Sequence, residues 1–253
     1  MSLWNILIVL LIIVLILIFC NVKKKEGMTE IPANIFQTWK TKILPPYMKA
    51  CVSRLKRQNH EFKHHLYDDD DCRDFIAEHF DSTVVNAFDT LIPGAYKADL
   101  WRYCVLYIRG GIYLDIKYEC HNNFKLVTLL DKPHYVLDRK EYAEPGSVLV
   151  YNGFMVSPAK NPVLKKCIEE IIKHVENREF GYNPLYPTGP GLLGRVLGKN
   201  SDIDLIYSSD TKYIMWKRKK ILKIYPEYRK EQNIVQPGNH YHFMWKQGLI
   251  YHP

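Results

Sequence analysis

Three side chains stand out for their type and spacing: Asp99, Arg102 and Asp115. Asp99 and Arg102 are one helical turn apart, so on a helix they share a face and can pair as anion and cation. Asp115 closes the short apolar run Ile112-Tyr113-Leu114, which is reached through Gly110-Gly111. Ligands of open α/β sheets sit at the carboxyl ends of strands, so Asp115 stands where a carboxylate can engage a bound molecule. A plainer reading is an ordinary intrahelical Asp99–Arg102 ion pair. Two other groupings have chemical potential but weaker context. His64, His65 and the acids at 68–71 are metal-ligand types, yet the acids sit where Asp caps the free amides of a helix start. The basic stretch 217–220 could meet phosphate or a lipid surface, although such runs are usually solvated loops.

These residues need a scaffold, and the pattern around them predicts an α/β domain with a mainly parallel sheet. Residues 31–39 read as a first strand and 61–67 as a second, with a Pro-initiated helix from 45 to about 58 between them. A capped helix is expected around 72–80. Over 95–109, Leu100, Cys104 and Ile108 recur at i, i+4 and i+8, the face of a buried helix, and Gly110 ends it. Strands are expected at 112–115, 135–137, 148–151 and 221–225, and an amphipathic helix at 162–177. The loop 186–191 leads into a short helix.

The chain has 253 residues, with Lys+Arg 35 against Asp+Glu 27 and a formal charge of +8. At 47% hydrophobic and 25% charged it has globular composition, which excludes a mostly disordered chain. From Ile6 to Cys20 there is no polar side chain. Taken as a helix, the eighteen residues Leu3–Cys20 at about 1.5 Å each span roughly 27 Å, close to a hydrocarbon core. We therefore expect a transmembrane helix over 3–22, a polar stalk over 23–30 and one domain over 31–253. The block lacks the charged start and small-residue cleavage site of a signal peptide. Lys23, Lys24 and Lys25 follow it, which places the domain in the cytosol by charge bias, with the Golgi or ER lumen as the alternative. Beyond the span lie Cys51, Cys72, Cys104, Cys120 and Cys167, an odd number with no CxxC pair, so no disulfide framework is read. No basic cluster with interleaved aromatics points to nucleic acid.

The longest ordered string, Ala95-Tyr96-Lys97-Ala98-Asp99-Leu100-Trp101-Arg102-Tyr103 followed by Gly110-Gly111-Ile112-Tyr113-Leu114-Asp115, resembles the signature of glycosyltransferase family 32. These are DXD-type sugar transferases that include the inositol-phosphorylceramide mannosyltransferases. Ile31-Pro32-Ala33-Asn34-Ile35-Phe36-Gln37-Thr38-Trp39, Asn152-Gly153-Phe154-Met155-Val156-Ser157-Pro158 and Thr188-Gly189-Pro190 resemble further segments of that family in the same order. The resemblance implies a GT-A fold, a Rossmann-like sheet that binds a nucleotide-sugar. It also implies a retaining transfer of mannose, galactose or glucose from a UDP- or GDP-hexose to a glycan or glycolipid acceptor. Carried over residue by residue, Trp39 lies against the base and Asp99 on the ribose or sugar. Arg102 meets sugar and diphosphate, Tyr113 lines the donor site, and Asp115 is the first acid of the DXD. The tail residues His240 and His242 resemble a segment that closes over the donor and could ligate a metal.

One position departs from the family. The third residue of the DXD is Lys117, where the resemblance implies an acid binding Mn²⁺ or Mg²⁺, and a protonated Lys cannot ligate a hard cation. Three arrangements follow. Lys117 replaces the metal's charge on the diphosphate, or Asp115 binds metal with other ligands. The third is a catalytically inactive nucleotide-sugar-binding or scaffold protein. Glu119, two residues on, shares a face with Lys117 and Asp115 if the strand continues.

Overall fold

The computed structural model describes Trp4, Ile12 and residues 30–143, 146–199, 201–235 and 240–253. The expected membrane helix and stalk lie outside the described residues apart from Trp4, Ile12 and Glu30. Among the described residues no helix is long and apolar enough to cross a membrane. The chain divides into two units, Met1–Glu30 and Ile31–Pro253, and the second carries the fold that follows.

Its organising turn is Gly110-Gly111. Gly110 has φ +62°, a conformation that costs glycine little, and a Cβ there would meet the amide nitrogen of Ala159 at 2.6 Å. This turn joins α4 (Gly94–Arg109) directly to β3 (Gly111–Leu114). The helix therefore folds back along the strand. Asp99 lies ten residues before the helix end, about 15 Å of rise, and Asp115 lies four residues into the strand direction, about 13 Å. Matching lengths bring the two acids level with each other.

The strands around β3 form one sheet with helices on both faces. β1 (Asn34–Thr38) pairs parallel with β2 (Lys63–Tyr67) and with β3. β6 (Val150–Ser157) then pairs antiparallel with β3 on one side and with β5 (His134–Leu137) on the other. β7 (Leu205–Ser208) runs parallel to β5, and β8 (Tyr213–Trp216), β9 (Lys219–Ile224) and β4 (Tyr118–Cys120) complete the far edge by antiparallel pairing. The order is β2-β1-β3-β6-β5-β7-β8-β9-β4. The sheet is mixed, not mainly parallel as the sequence suggested. Antiparallel β6 enters between two crossover units, and 213–224 is a hairpin rather than one strand. Lys217 and Arg218 of the basic stretch form its turn, both at positive φ, and Lys219 and Lys220 begin β9.

Alternation along the strands feeds two cores. Ile112, Leu114, Phe154 and Val156 pack on one face with Ile35, Leu55 and Val136. Tyr113 and Met155 pack on the other with Trp101, Cys104 and Leu106 of α4. That second layer also contains α2 (Asp69–His79), α3 (Ser82–Thr90), α5 (Pro162–Glu176) and α6 (Pro190–Leu197). The acids at 68–71 act as the capping reading expects. Asp71 N–H donates to Asp68 Oδ1 at 3.0 Å and Asp68 N–H to Asp71 Oδ2 at 3.1 Å.

A third, smaller cluster gathers at the carboxyl edge: Trp39, Met48, Cys51, Val52, Ile116, Tyr225 and Tyr228. It joins α1 (Pro46–Gln58) to α7 (Tyr228–Val235). The first turn of α1 has no side-chain cap of its own. Buried Glu231 supplies one from α7, accepting from Tyr47 N–H at 2.8 Å, Met48 N–H at 2.9 Å and Tyr225 O–H at 2.9 Å. Removing that carboxylate strands three donors, each worth about 1 kcal/mol or more. Glu231→Ala should therefore lower unfolding free energy by about 3 kcal/mol, read as a shifted urea midpoint, whereas an unshifted midpoint would show that water replaces the cap.

Candidate functional site

Asp115 sits one residue beyond β3, its amide donating to the Gly153 carbonyl at 2.8 Å. That bond fixes the backbone of the site to antiparallel β6. Four donors converge on the Asp115 carboxylate. Tyr113 O–H reaches Oδ1 at 3.0 Å, and the Arg102 guanidinium lies 3.6 Å from the same oxygen. On Oδ2, Lys117 Nζ donates at 2.7 Å and Tyr151 O–H at 2.9 Å. A Cβ at Gly153 would run into the Tyr151 hydroxyl and Asp115 Oδ2, so glycine is what allows this convergence.

Behind Asp115, Arg102 joins the two acids. Its Nη1 is 3.1 Å from Asp99 Oδ1 and donates to the Asn152 carbonyl at 3.0 Å. Its Nε donates to Ala98 O at 3.2 Å, and the guanidinium lies 4.4 Å from the Tyr113 ring centroid. Asp99 is completed by Asn152 Nδ2 at 2.9 Å and Thr188 Oγ1 at 2.7 Å. The Tyr103 hydroxyl accepts from Asn152 Nδ2 at 3.0 Å and donates to the Thr188 carbonyl at 3.2 Å, tying the loop before α6 to α4. Asp99 and Arg102 side chains are 10% and 7% exposed, against 22% and 16% for Asp115 and Lys117. The first pair is the enclosed support, and the second pair faces the solvent.

The acids titrate in opposite directions. Burial raises Asp99 above the usual carboxylate range, against the pull of Arg102, Thr188 and Asn152. Burial also opposes ionisation of Asp115. There the charges of Lys117 and Arg102, with hydrogen bonds from Lys117 and Tyr151, win and hold the carboxyl at about 2. Two carboxylates thus face two cations, and the cluster is formally neutral.

The other sequence candidates fall around this centre. Trp39 lies just past β1 in the third cluster, 8% exposed, and its buried Nε1–H has no hydrogen-bond partner among the described residues. His240 caps the short helix α8 (Tyr241–Lys246), its Nδ1 accepting from His242 N–H at 3.3 Å, and its ring stacks on Tyr241. Tyr241 in turn lies against Tyr96 of α4. Glu119 does not join Asp115. A turn from Asp115 O to Tyr118 N at 3.1 Å breaks the strand alternation. Glu119 is instead 2% exposed and paired with Arg54 and with Lys223, the latter at 3.0 Å. Residues the sequence reading did not name as site members are Asn152, Thr188, Tyr151 and Gly153. Asn152, Gly153 and Thr188 lay inside the matched segments, while Tyr151 carried no signal.

The divalent ion implied at Asp115 can be tested against these donors. Both Asp115 oxygens are already engaged, and two of the four partners are cations. A divalent ion about 4 Å from an ammonium is repelled by about 8 kcal/mol at the effective dielectric of a protein edge. Among the described residues no three His, Cys, Asp or Glu side chains come together to offer an alternative set. The residues present do not fit a divalent cation in this arrangement.

The lowered Asp115 value has a consequence for stability. A depressed carboxyl stabilises the fold above its unfolded value of 3.8, and the contribution disappears as pH falls towards about 2. Asp115→Asn should therefore cost about 2 kcal/mol at neutral pH, with the domain still folded. The difference from wild type should shrink as pH drops through that window. A pH-independent difference in denaturant midpoints would show that the ion pairs contribute nothing.

Residues 45–135 match the family described as "Glycosyltransferase sugar-binding region containing DXD motif". The chain is 30% identical over 171 residues to inositol phosphoceramide mannosyltransferase 3 of Schizosaccharomyces pombe, covering 66% of this chain and 44% of that protein. It is 34% identical over 92 residues to the initiation-specific alpha-1,6-mannosyltransferase of Candida albicans, covering 34% of this chain and 24% of that one. The chain thus spans less than half the length of these curated relatives. Among solved structures, the PaToxG glycosyltransferase superposes with a TM-score of 0.49 at 18% identity, over 66% of this chain and 69% of that one. The matched segment contains α4, the Gly110-Gly111 turn, Asp115 and Lys117, the elements that build the charged centre, and over those residues the chain is similar to glycosyltransferase sugar-binding regions containing the DXD motif.

Proposed function

We propose that the protein is a membrane-anchored, retaining GT-A glycosyltransferase that moves a hexose from a UDP- or GDP-sugar to a glycan or glycolipid acceptor. The observation that carries this reading is the meeting of Asp115, Lys117, Arg102 and Asp99 at the carboxyl end of β3. Transfer from a nucleotide-sugar breaks the bond between the anomeric carbon and a phosphate oxygen. Negative charge then grows on the departing diphosphate, and fixed cations lower the energy of that state. Lys117 and Arg102 are such cations, and Lys117 keeps part of its side chain exposed. Carboxylates bind sugar hydroxyls, and Asp115 is the one with exposed surface. Asp99 acts behind it, orienting Arg102 together with Asn152 and Thr188. Trp39 offers the base an aromatic wall and an indole N–H that has no partner among the described residues. Mannose is the favoured sugar and a glycolipid the favoured acceptor, because relatives bear the names inositol phosphoceramide mannosyltransferase and alpha-1,6-mannosyltransferase.

A hydrolysis and transfer screen across UDP- and GDP-hexoses tests the reading. One donor should be consumed by the full chain, and Asp115→Asn should reduce turnover about a hundredfold or more while the domain remains folded. Near-wild-type turnover in that variant would remove Asp115 from the site, and no turnover with any donor would remove the activity itself.

The apolar block from Ile6 to Cys20 and the following lysines support a single anchor with the domain in the cytosol. Protease added to sealed vesicles bearing the native chain should then digest residues beyond Glu30. Protection until detergent is added would place the domain in the lumen.

A further inference from the structure

The misfit between the site and a divalent ion has a positive side, because the position of Lys117 is built rather than incidental. Its carbonyl accepts from Tyr225 N–H at 3.1 Å, which fixes the backbone to the end of β9. Its ammonium is bonded to Asp115 and lies 5.4 Å from the Tyr118 ring, 5.5 Å from Tyr151 and 5.9 Å from Tyr228. Three aromatic faces and one carboxylate hold a positive charge in one place, and cation–π attraction favours an ammonium there. Tyr228 comes from α7, the helix whose Glu231 clamps α1, so an element distant in sequence completes the cage. The side chain is still 16% exposed, which leaves its ammonium accessible to an anion from solvent. Arg102 stands on the other side of Asp115 as a second fixed cation.

We propose that Lys117, with Arg102, takes the place of a divalent cation, so that this site binds the diphosphate of a nucleoside diphosphate without a metal ion. The inference rests on the glycosyltransferase reading but concerns how the donor is held. Lys117 Nζ has three donors, one of them spent on Asp115, which leaves others for phosphate oxygens. Arg102 contributes its charge from behind. The charge balance sets the terms: Asp99 and Asp115 offset the two cations when the site is empty, and an incoming diphosphate competes with Asp115 for them.

Calorimetric titration of UDP and of GDP into the full chain in detergent, with EDTA or with Mn²⁺, tests this apart from turnover. One of the two should bind equally well in both conditions. Lys117→Met should weaken binding about tenfold or more, the loss of one charge-assisted contact, and Lys117→Arg should restore most of it. Lys117→Asp should bind only when Mn²⁺ is present. Should Lys117→Met fail to fold, judged by its thermal midpoint, the Arg and Asp variants decide alone. Wild-type binding that vanishes in EDTA and returns with Mn²⁺ would overturn the inference and leave the transferase reading standing. Metal-independent binding that Lys117→Met or Lys117→Asp leaves unchanged would also overturn it. If neither UDP nor GDP binds under any condition, the donor-site reading falls and the inference falls with it.

Discussion

A buried guanidinium is costly unless its charge and its hydrogens are matched, and the site is arranged around meeting that requirement for Arg102. Two carboxylates, two backbone carbonyls and an aromatic face enclose it. The partners come from three stretches: Asp99 and Ala98 from α4, Tyr113 and Asp115 from β3 and the residue after it, and Asn152 from β6. None of these can shift alone without exposing a charge or leaving it unpaired. The Gly110-Gly111 turn, the antiparallel insertion of β6 and the contacts of Thr188 are therefore one requirement seen from several sides.

The parts of this arrangement legible in the sequence are those set by local spacing. A helical turn separates Asp99 from Arg102, and a glycine pair followed by a short apolar run leads to Asp115, so their meeting could be anticipated. What could not be anticipated depends on pairing between distant segments. Nothing local says that β6 runs antiparallel between β3 and β5, and hence that Tyr151 and the Gly153 carbonyl meet Asp115. The helix α3 has a clear cap at Asp81 and buries Val84, Ala87 and Phe88 at helical spacing, but it is only nine residues long. Glu119 would share a face with Asp115 only on a continuing strand, and the turn at 115–118 interrupts it and sends that acid to Arg54 and Lys223 instead.

The C-terminal third adds to the site indirectly. α7 contributes Glu231 to the start of α1, and one turn earlier it contributes Tyr228 to the side of Lys117. The same short helix thus caps one element and encloses the exposed cation. Trp39 and Ile116 are packed between them. Loosening this helix would affect the shape of the carboxyl edge as well as its stability, since the cluster that holds Trp39 and the aromatic cage share Tyr228.

The neutrality of the cluster bears on how a ligand is selected. A site centred on a divalent ion presents excess positive charge and attracts many phosphates. Here Lys117 and Arg102 are already partly satisfied by Asp115, so an anion must compete with a carboxylate 2.7 Å from the ammonium. Inorganic phosphate, with only charge to offer, gains little from that exchange. On the proposed reading, a nucleotide-sugar would add stacking on an aromatic wall such as Trp39 and hydroxyls to take up the Asp115 oxygens released by the cations. Recognition on that reading would depend on sugar, base and diphosphate arriving together, because each offsets what another displaces.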